Sequence, residues 1–181
     1  MSSTPKENLL RLGKKYAPDR SRDIDVPAMI EAQSPRGALL GSLLAAVILT
    51  AVWVYGGLLF DQFFPWFAVV QGFFIGRAAR HFGLGLDWRN PLIAALIAIA
   101  AAFVGSFISA LFLTGREFGM PALSLVNEIS WHTVSTFASR EFGTVGSIYA
   151  GMSAVVAAFF GNRRLDRYEA VALQKHKGAS I

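Results

Sequence analysis

Cysteine is absent from this chain, which excludes a disulfide framework and any thiolate metal site. Charge is scarce too. Asp, Glu, Lys and Arg together make up 16% of 181 residues, whereas a soluble domain typically carries about a quarter. The amino-terminal stretch MSSTPKENLLRLGKKYAPDRSRD has no short apolar run of the kind that forms the centre of a cleaved signal peptide. Glycine-rich phosphate loops, nucleotide fingerprints and paired-carboxylate sites are also missing, so nucleotide-driven or carboxylate acid–base chemistry has no support. Gly83-Leu84-Gly85 follows no strand pattern and reads as a turn.

What is present is apolar and unevenly distributed. Hydrophobic residues make up 54% of the chain and the mean hydropathy is +0.45. Most charges lie outside a few long apolar runs, which is the pattern of membrane spans rather than of an oily soluble core. Four spans are predicted, at about 37–60, 62–82, 91–115 and 143–161. The first, third and fourth contain no charged residue. The second is bordered by Arg77 and Arg80, whose long side chains can carry their charge out to the interface. Trp53, Tyr55, Pro65 and Trp66 fall near the ends of the first two runs, where an aromatic belt is expected.

Residues 1–36 form a polar, basic arm. Thr4-Pro5-Lys6-Glu7 has the form of a capping box with proline at the first helical position, so a short basic amphipathic helix is expected over Leu9, Leu10, Leu12 and Tyr16. A linker with prolines at 18, 27 and 35 follows. The tail, 162–181, is expected to continue the fourth helix into water.

The net charge of +5 and pI of about 9.9 are explained by topology, and no nucleic-acid partner is expected. The amino-terminal arm holds seven Lys and Arg residues, the Arg77–Arg89 stretch three (Arg77, Arg80, Arg89) and the tail five, among them Arg163, Arg164 and Arg167. The other side would hold only Arg116 and Arg140. Fifteen against two is a strong positive-inside bias. It predicts an even number of spans, with both termini on the cytoplasmic side of a bacterial inner (plasma) membrane.

Between the third and fourth spans, residues 121–140 predict one amphipathic helix lying in the outer interface or capping the bundle. Ala122, Leu123, Leu125, Val126, Ile129, Val134 and Phe137 gather on one half of a helical wheel, opposite Ser124, Glu128, His132, Ser135 and Ser139. A fifth span here would set Glu128 and His132 in the hydrocarbon at a cost of several kcal/mol. Glu128 and His132 lie four residues apart, within reach of a carboxylate–imidazole hydrogen bond. A solvated face with a local ion pair explains them better than a catalytic site does, because a nucleophile elbow and a supporting loop are missing. The pair offers two ligands where a closed metal site needs about four, and no metal or other cofactor is expected.

Small residues recur at helical spacing in each run: Gly37 and Gly41, Gly72 and Gly76, Ala101, Gly105 and Ser109, then Gly143, Ser147 and Gly151. Such stripes let helix backbones approach closely. Gln71 is the one strong polar side chain deep inside a span, and it either hydrogen-bonds across helices or lines a narrow pore.

The expected architecture is therefore an all-α membrane protein with four transmembrane helices in a compact bundle and an interfacial helix between the third and fourth. The expected function is that of a non-enzymatic structural or accessory subunit, in a membrane complex or a homo-oligomer. Alternatives are a small channel or transporter formed by oligomerisation, and an interfacial enzyme using Glu128 and His132. The expected partners are the bilayer, other membrane subunits or further copies of the chain, and anionic headgroups at the basic flanks. Reporter fusions test the orientation: reporters at both termini should read the cytoplasm, and a reporter in the Asp61 turn should read the opposite side.

Overall fold

The structure is a computed structural model that describes residues 24–84, 88–127, 129–162 and 165–179. The described secondary structure is helical throughout. In chain order it comprises α1 (Val26–Glu31), α2 (Pro35–Phe60), α3 (Phe67–Gly83), α4 (Arg89–Glu117), α5 (Ala122–Val126), α6 (Trp131–Thr136), a π-helical segment (Phe137–Phe142), α7 (Gly143–Gly161) and α8 (Arg167–Ala179). Three of these, α2, α4 and α7, are long and apolar enough to cross a membrane, which marks an integral membrane protein. At 17 residues, α3 spans roughly 26 Å, short of the ~30 Å hydrocarbon core.

Proline and short polar caps set where the helices begin. The Ser34 hydroxyl accepts from the Gly37 N–H at 3.0 Å, and Pro35 follows at the first helical position. Pro65 precedes α3, Pro91 lies in the first turn of α4, and Pro121 is the residue before α5. Asp61 ends α2 in the left-handed region at φ 53°. The connection to α3 runs through residues 61–66, so α3 starts several residues later than hydropathy indicates.

The two compact units of the chain are best taken separately. In the larger, α2, α3, α4 and α7 pack side by side. The direction of the chain alternates. Gly37 and Gly41 near the start of α2 meet Phe82 near the end of α3, while Trp53 near the end of α2 packs on Phe63 and Phe67 at the start of α3. Gly72 and Gly76 of α3 lie over Ser153 and Ala157 of α7, so these two helices run parallel. Gly161 at the end of α7 reaches Pro91 and Ala94 at the start of α4, so α7 and α4 run antiparallel.

The core is built from small residues. Ala38, Ala46, Ala79, Ala94, Ala98 and Ala157 are buried together with Ile75, and a second cluster gathers around Trp53, Ala68, Ala102 and Ala150. The large aliphatic side chains point outward: Leu40 and Val47 are each 68% exposed and Val155 is 70% exposed. That distribution is the inverse of a water-soluble bundle and suits helices whose outer solvent is lipid, where close backbone approach supplies the packing. In the smaller unit α1 packs on α8, and Val26 and Ala172 are buried.

Several expectations need correcting. The stretch read as a linker contains α1, which starts where Asp25 Oδ1 accepts from the Ala28 N–H at 3.1 Å. Residues 121–140 do not form one helix. They form α5 and α6 with a break between them, and the turns after α6 are π-helical. The break arises because Ser130 starts a new helix: its hydroxyl accepts from the Thr133 N–H at 3.2 Å while Thr133 caps the Ser130 N–H in return. The tail does not extend α7 either. Asn162 turns extended, at φ −84° and ψ 135°, and α8 begins afresh at Arg167. The predicted helix around residues 4–16 lies outside the described residues, as do Arg163 and Arg164.

A Cβ at Gly76 would overlap the carbonyl oxygen of Ala157, whereas a Cβ at Gly56 would meet nothing within 4 Å. Gly76→Ala should therefore destabilise the bundle by about 1–3 kcal/mol, while Gly56→Ala should be neutral or stabilising by up to about 1 kcal/mol. Denaturation in mixed micelles measures both.

Candidate functional site

The bundle offers four candidate places for a site: the buried polar seam, a cavity at the Asp61 end, the segment before α7, and the basic end. The seam centres on Gln71, which is fully buried. Its amide nitrogen donates to the Ala46 carbonyl at 3.2 Å and to the Thr50 hydroxyl at 2.9 Å, both on α2. Of the two roles open to Gln71 from its sequence position, the interhelical hydrogen bond is the one observed. Ser153 works similarly, its hydroxyl donating to the Ala68 carbonyl at 2.7 Å and tying α7 to α3. Ser42 and Ser109 are also buried, and among the described residues their hydroxyls have no hydrogen-bond partner, nor does the Gln71 side-chain carbonyl oxygen.

The helix-packing residues divide into two groups. Gly37, Gly41, Gly72, Gly76 and Gly105 all face another helix closely enough that a Cβ would collide, Gly105 against the Trp53 ring. Ser109 is buried on the same α4 helix. Ser147 and Gly151 lie on the outer face of α7 among the described residues. Both are exposed, and nothing lies within 4 Å of a Cβ built at Gly151. The face of α7 that packs inward is Ala150, Ser153, Ala157 and Gly161, because Ser153 and Ala157 are the residues that meet the α3 glycines.

At the Asp61 end lies a cavity of about 380 Å³. Ala102, Ser106, Ala110, Leu113 and Glu117 form its α4 wall, and Gly146 and Tyr149 its α7 wall; Phe63, Phe137 and Phe142 supply aromatic surface. It exists because α4 has 29 residues and α7 only 19, so the last turns of α4 outrun their helical neighbour. The π segment fills part of that gap: Phe137 meets Phe103 and Phe107 edge-on, at 5.8 and 5.1 Å between ring centroids. Gly143 joins this segment to α7 at φ 40°, a conformation that favours glycine. The cavity was missed in the sequence, although Ala102, Ser106, Ala110, Leu113 and Glu117 recur at helical spacing; such a stripe does not reveal that no helix covers it.

The proposed acid–imidazole pair falls partly outside the described residues. Glu128 lies outside them, and His132 is exposed on α6. The Ser135 hydroxyl donates to the His132 backbone carbonyl at 3.0 Å, so it is engaged in helix capping rather than with the ring. Among the described residues no group of three or more His, Cys, Asp or Glu could hold a metal ion.

Charge separates between the two ends of the bundle. Arg36, Arg77, Arg80, His81 and Arg89 cluster where α2 and α4 begin and α3 ends. Asp61, Arg116 and Glu117 lie at the other end, where Arg116 donates to the Leu58 carbonyl and sits 3.7 Å from the Asp61 carboxylate. Arg167 is exposed at the start of α8 in the smaller unit.

Removing the Gln71 amide tests the seam. Gln71→Met should cost about 0.6–2 kcal/mol, and the Thr50→Val change should add less in that background than alone, because the two share a bond; a double-mutant cycle in micelles measures this. No protein family, curated protein or solved structure matches this chain, so its function has to be read from the bundle itself.

Proposed function

We propose that this protein is a four-span membrane subunit whose work is assembly rather than catalysis, with both termini and the basic Arg77–Arg89 end on the cytoplasmic side. Reading α3 as the fourth span is supported by its place in the bundle. It runs against α2 and α4 and carries Arg77 and Arg80 near its end, where their heads can reach the interface and extend its reach. The fifteen-to-two bias in basic residues supports the orientation.

One observation carries the assembly reading. The interior polar groups that have partners use them to join helices, while the uncovered small residues lie on the outer face of α7. Ser147 and Gly151 stand there among Ile148, Met152 and Val155, all of them exposed. Small residues between large ones make a shallow groove that a further helix can enter closely. The occupant is another subunit or a second copy of this chain. A conduction path beside Gln71 is less well supported, since that side chain is enclosed by the α2–α3 contact. The interfacial-enzyme reading rests on Glu128 and His132, and Ser135 lends it no geometry.

Gly151→Ile provides the test, because a Cβ built there meets nothing within 4 Å among the described residues. The variant should insert and melt like the unmodified chain yet lose its larger assembly on native electrophoresis of solubilised membranes. An unchanged assembly refutes the reading.

A further inference from the structure

Arg77, Arg80, His81 and Leu84 line a recess of about 480 Å³ at the basic end of α3. Two of those residues, Arg77 and His81, also line a second hollow of about 410 Å³ that runs along the α2–α3 seam, walled by Ile48, Leu49, Phe74 and Phe82. The two hollows therefore adjoin at Arg77 and His81, one cationic and one apolar. On α3 the shared stripe is Phe74, Arg77, Ala78 and His81, successive turns of one face. Ile48 is 54% exposed, Phe74 47% and Phe82 52%, so the apolar part opens onto the outer surface of the bundle.

We infer that this composite hollow is a binding site for one anionic glycerophospholipid, with its phosphodiester on Arg77, Arg80 and His81 and an acyl chain lying along Ile48, Phe74 and Phe82. The inference rests on the membrane reading above and deepens it. Charge complementarity selects the occupant. Neither Arg77 nor Arg80 has a carboxylate within 4 Å among the described residues, and two guanidinium forks plus an imidazole N–H match the acceptor oxygens of a phosphodiester. The C-terminal end of α3 carries a partial negative charge of about half a unit, which opposes an anion. Attraction therefore has to come from the side chains, and their removal should be decisive. A basic recess at the membrane interface beside an apolar groove is the arrangement that holds acidic headgroups between helices.

The experiment is native mass spectrometry of the full chain in a neutral detergent, offered equal amounts of dioleoylphosphatidylglycerol and dioleoylphosphatidylcholine. One phosphatidylglycerol should be retained in preference to phosphatidylcholine. Arg77→Gln with Arg80→Gln should weaken retention by about thirtyfold, from roughly a kcal/mol per basic residue near the surface. Ile48→Trp, which fills the groove and leaves the charges in place, should weaken it independently, so the proposal stays testable if the double variant fails to fold. Millimolar glycerol phosphate, which has the headgroup anion without chains, should not displace the lipid. Equal retention of the two lipids, displacement by glycerol phosphate, or wild-type retention by a folded Ile48→Trp or double-arginine variant overturns the proposal. Lipid retention is read separately from assembly size: losing it with assembly intact refutes only this site, whereas a chain that dissolves without detergent refutes the membrane reading as well.

Discussion

The approach of α3 to α7 is the contact on which the bundle depends. Gly72 and Gly76 leave no room for a side chain above the Ser153 and Ala157 carbonyls, so the two backbones come as near as helices can. In lipid, where burying an aliphatic side chain gains little, packing of this kind and weak polar contacts supply most of the association energy. The other helices arrange themselves around the pair. The α2 helix closes on α3 through Gly37 and Gly41 against Phe82, and α4 closes on α2 by seating Gly105 under Trp53. Alanine and serine fill the remainder, which is why the large aliphatic residues are on the outside.

Polar side chains add direction to that packing. Each buried donor that reaches a neighbouring helix fixes a register that van der Waals contact alone leaves free to slide. Gln71 does so for α2 against α3, and Ser153 for α7 against α3. Because hydrocarbon offers no competing water, an amide aimed at a carbonyl on the next helix has few alternatives. At the start of the hairpin, the Ser34 N–H donates to the Gly83 carbonyl at 2.9 Å, locking the basic end of the same pair.

The two ends of the bundle differ in chemistry. One carries the arginines and the composite hollow beside α3. The other carries a mixed set of charges, the aromatic-lined cavity and the broken segment from α5 to the π turns. A mismatch in length between α4 and α7 opens that cavity, and π-helical turns, frequent at functional positions, partly close it. Trp131 on that segment is 83% exposed, and Phe118 directly after α4 is 72% exposed. Large aromatic groups at a membrane end suit the boundary between headgroups and hydrocarbon.

Hydropathy and local caps determined much of this protein. Uninterrupted apolar runs are properties of composition, so the extents of α2, α4 and α7 were legible to within a few residues, and α7 matched at both ends. The glycines at 37, 41, 72, 76 and 105 were legible as contact residues because their spacing places each pair on one face. Helical spacing does not say which face turns inward: Ser147 and Gly151 were legible as a close-approach stripe, but that Ser153 and Ala157 are the residues meeting α3 was not. Nor could a wheel drawn over 121–140 register Ser130 and Thr133 ending one helix and starting the next, although their spacing is that of a cap. The cavity, the partner of Gln71 and the adjacency of the basic recess to the apolar seam were decided only by tertiary structure. Each depends on distances between helices that are far apart in the chain, and a sequence records spacing along one helix but not the separation between two.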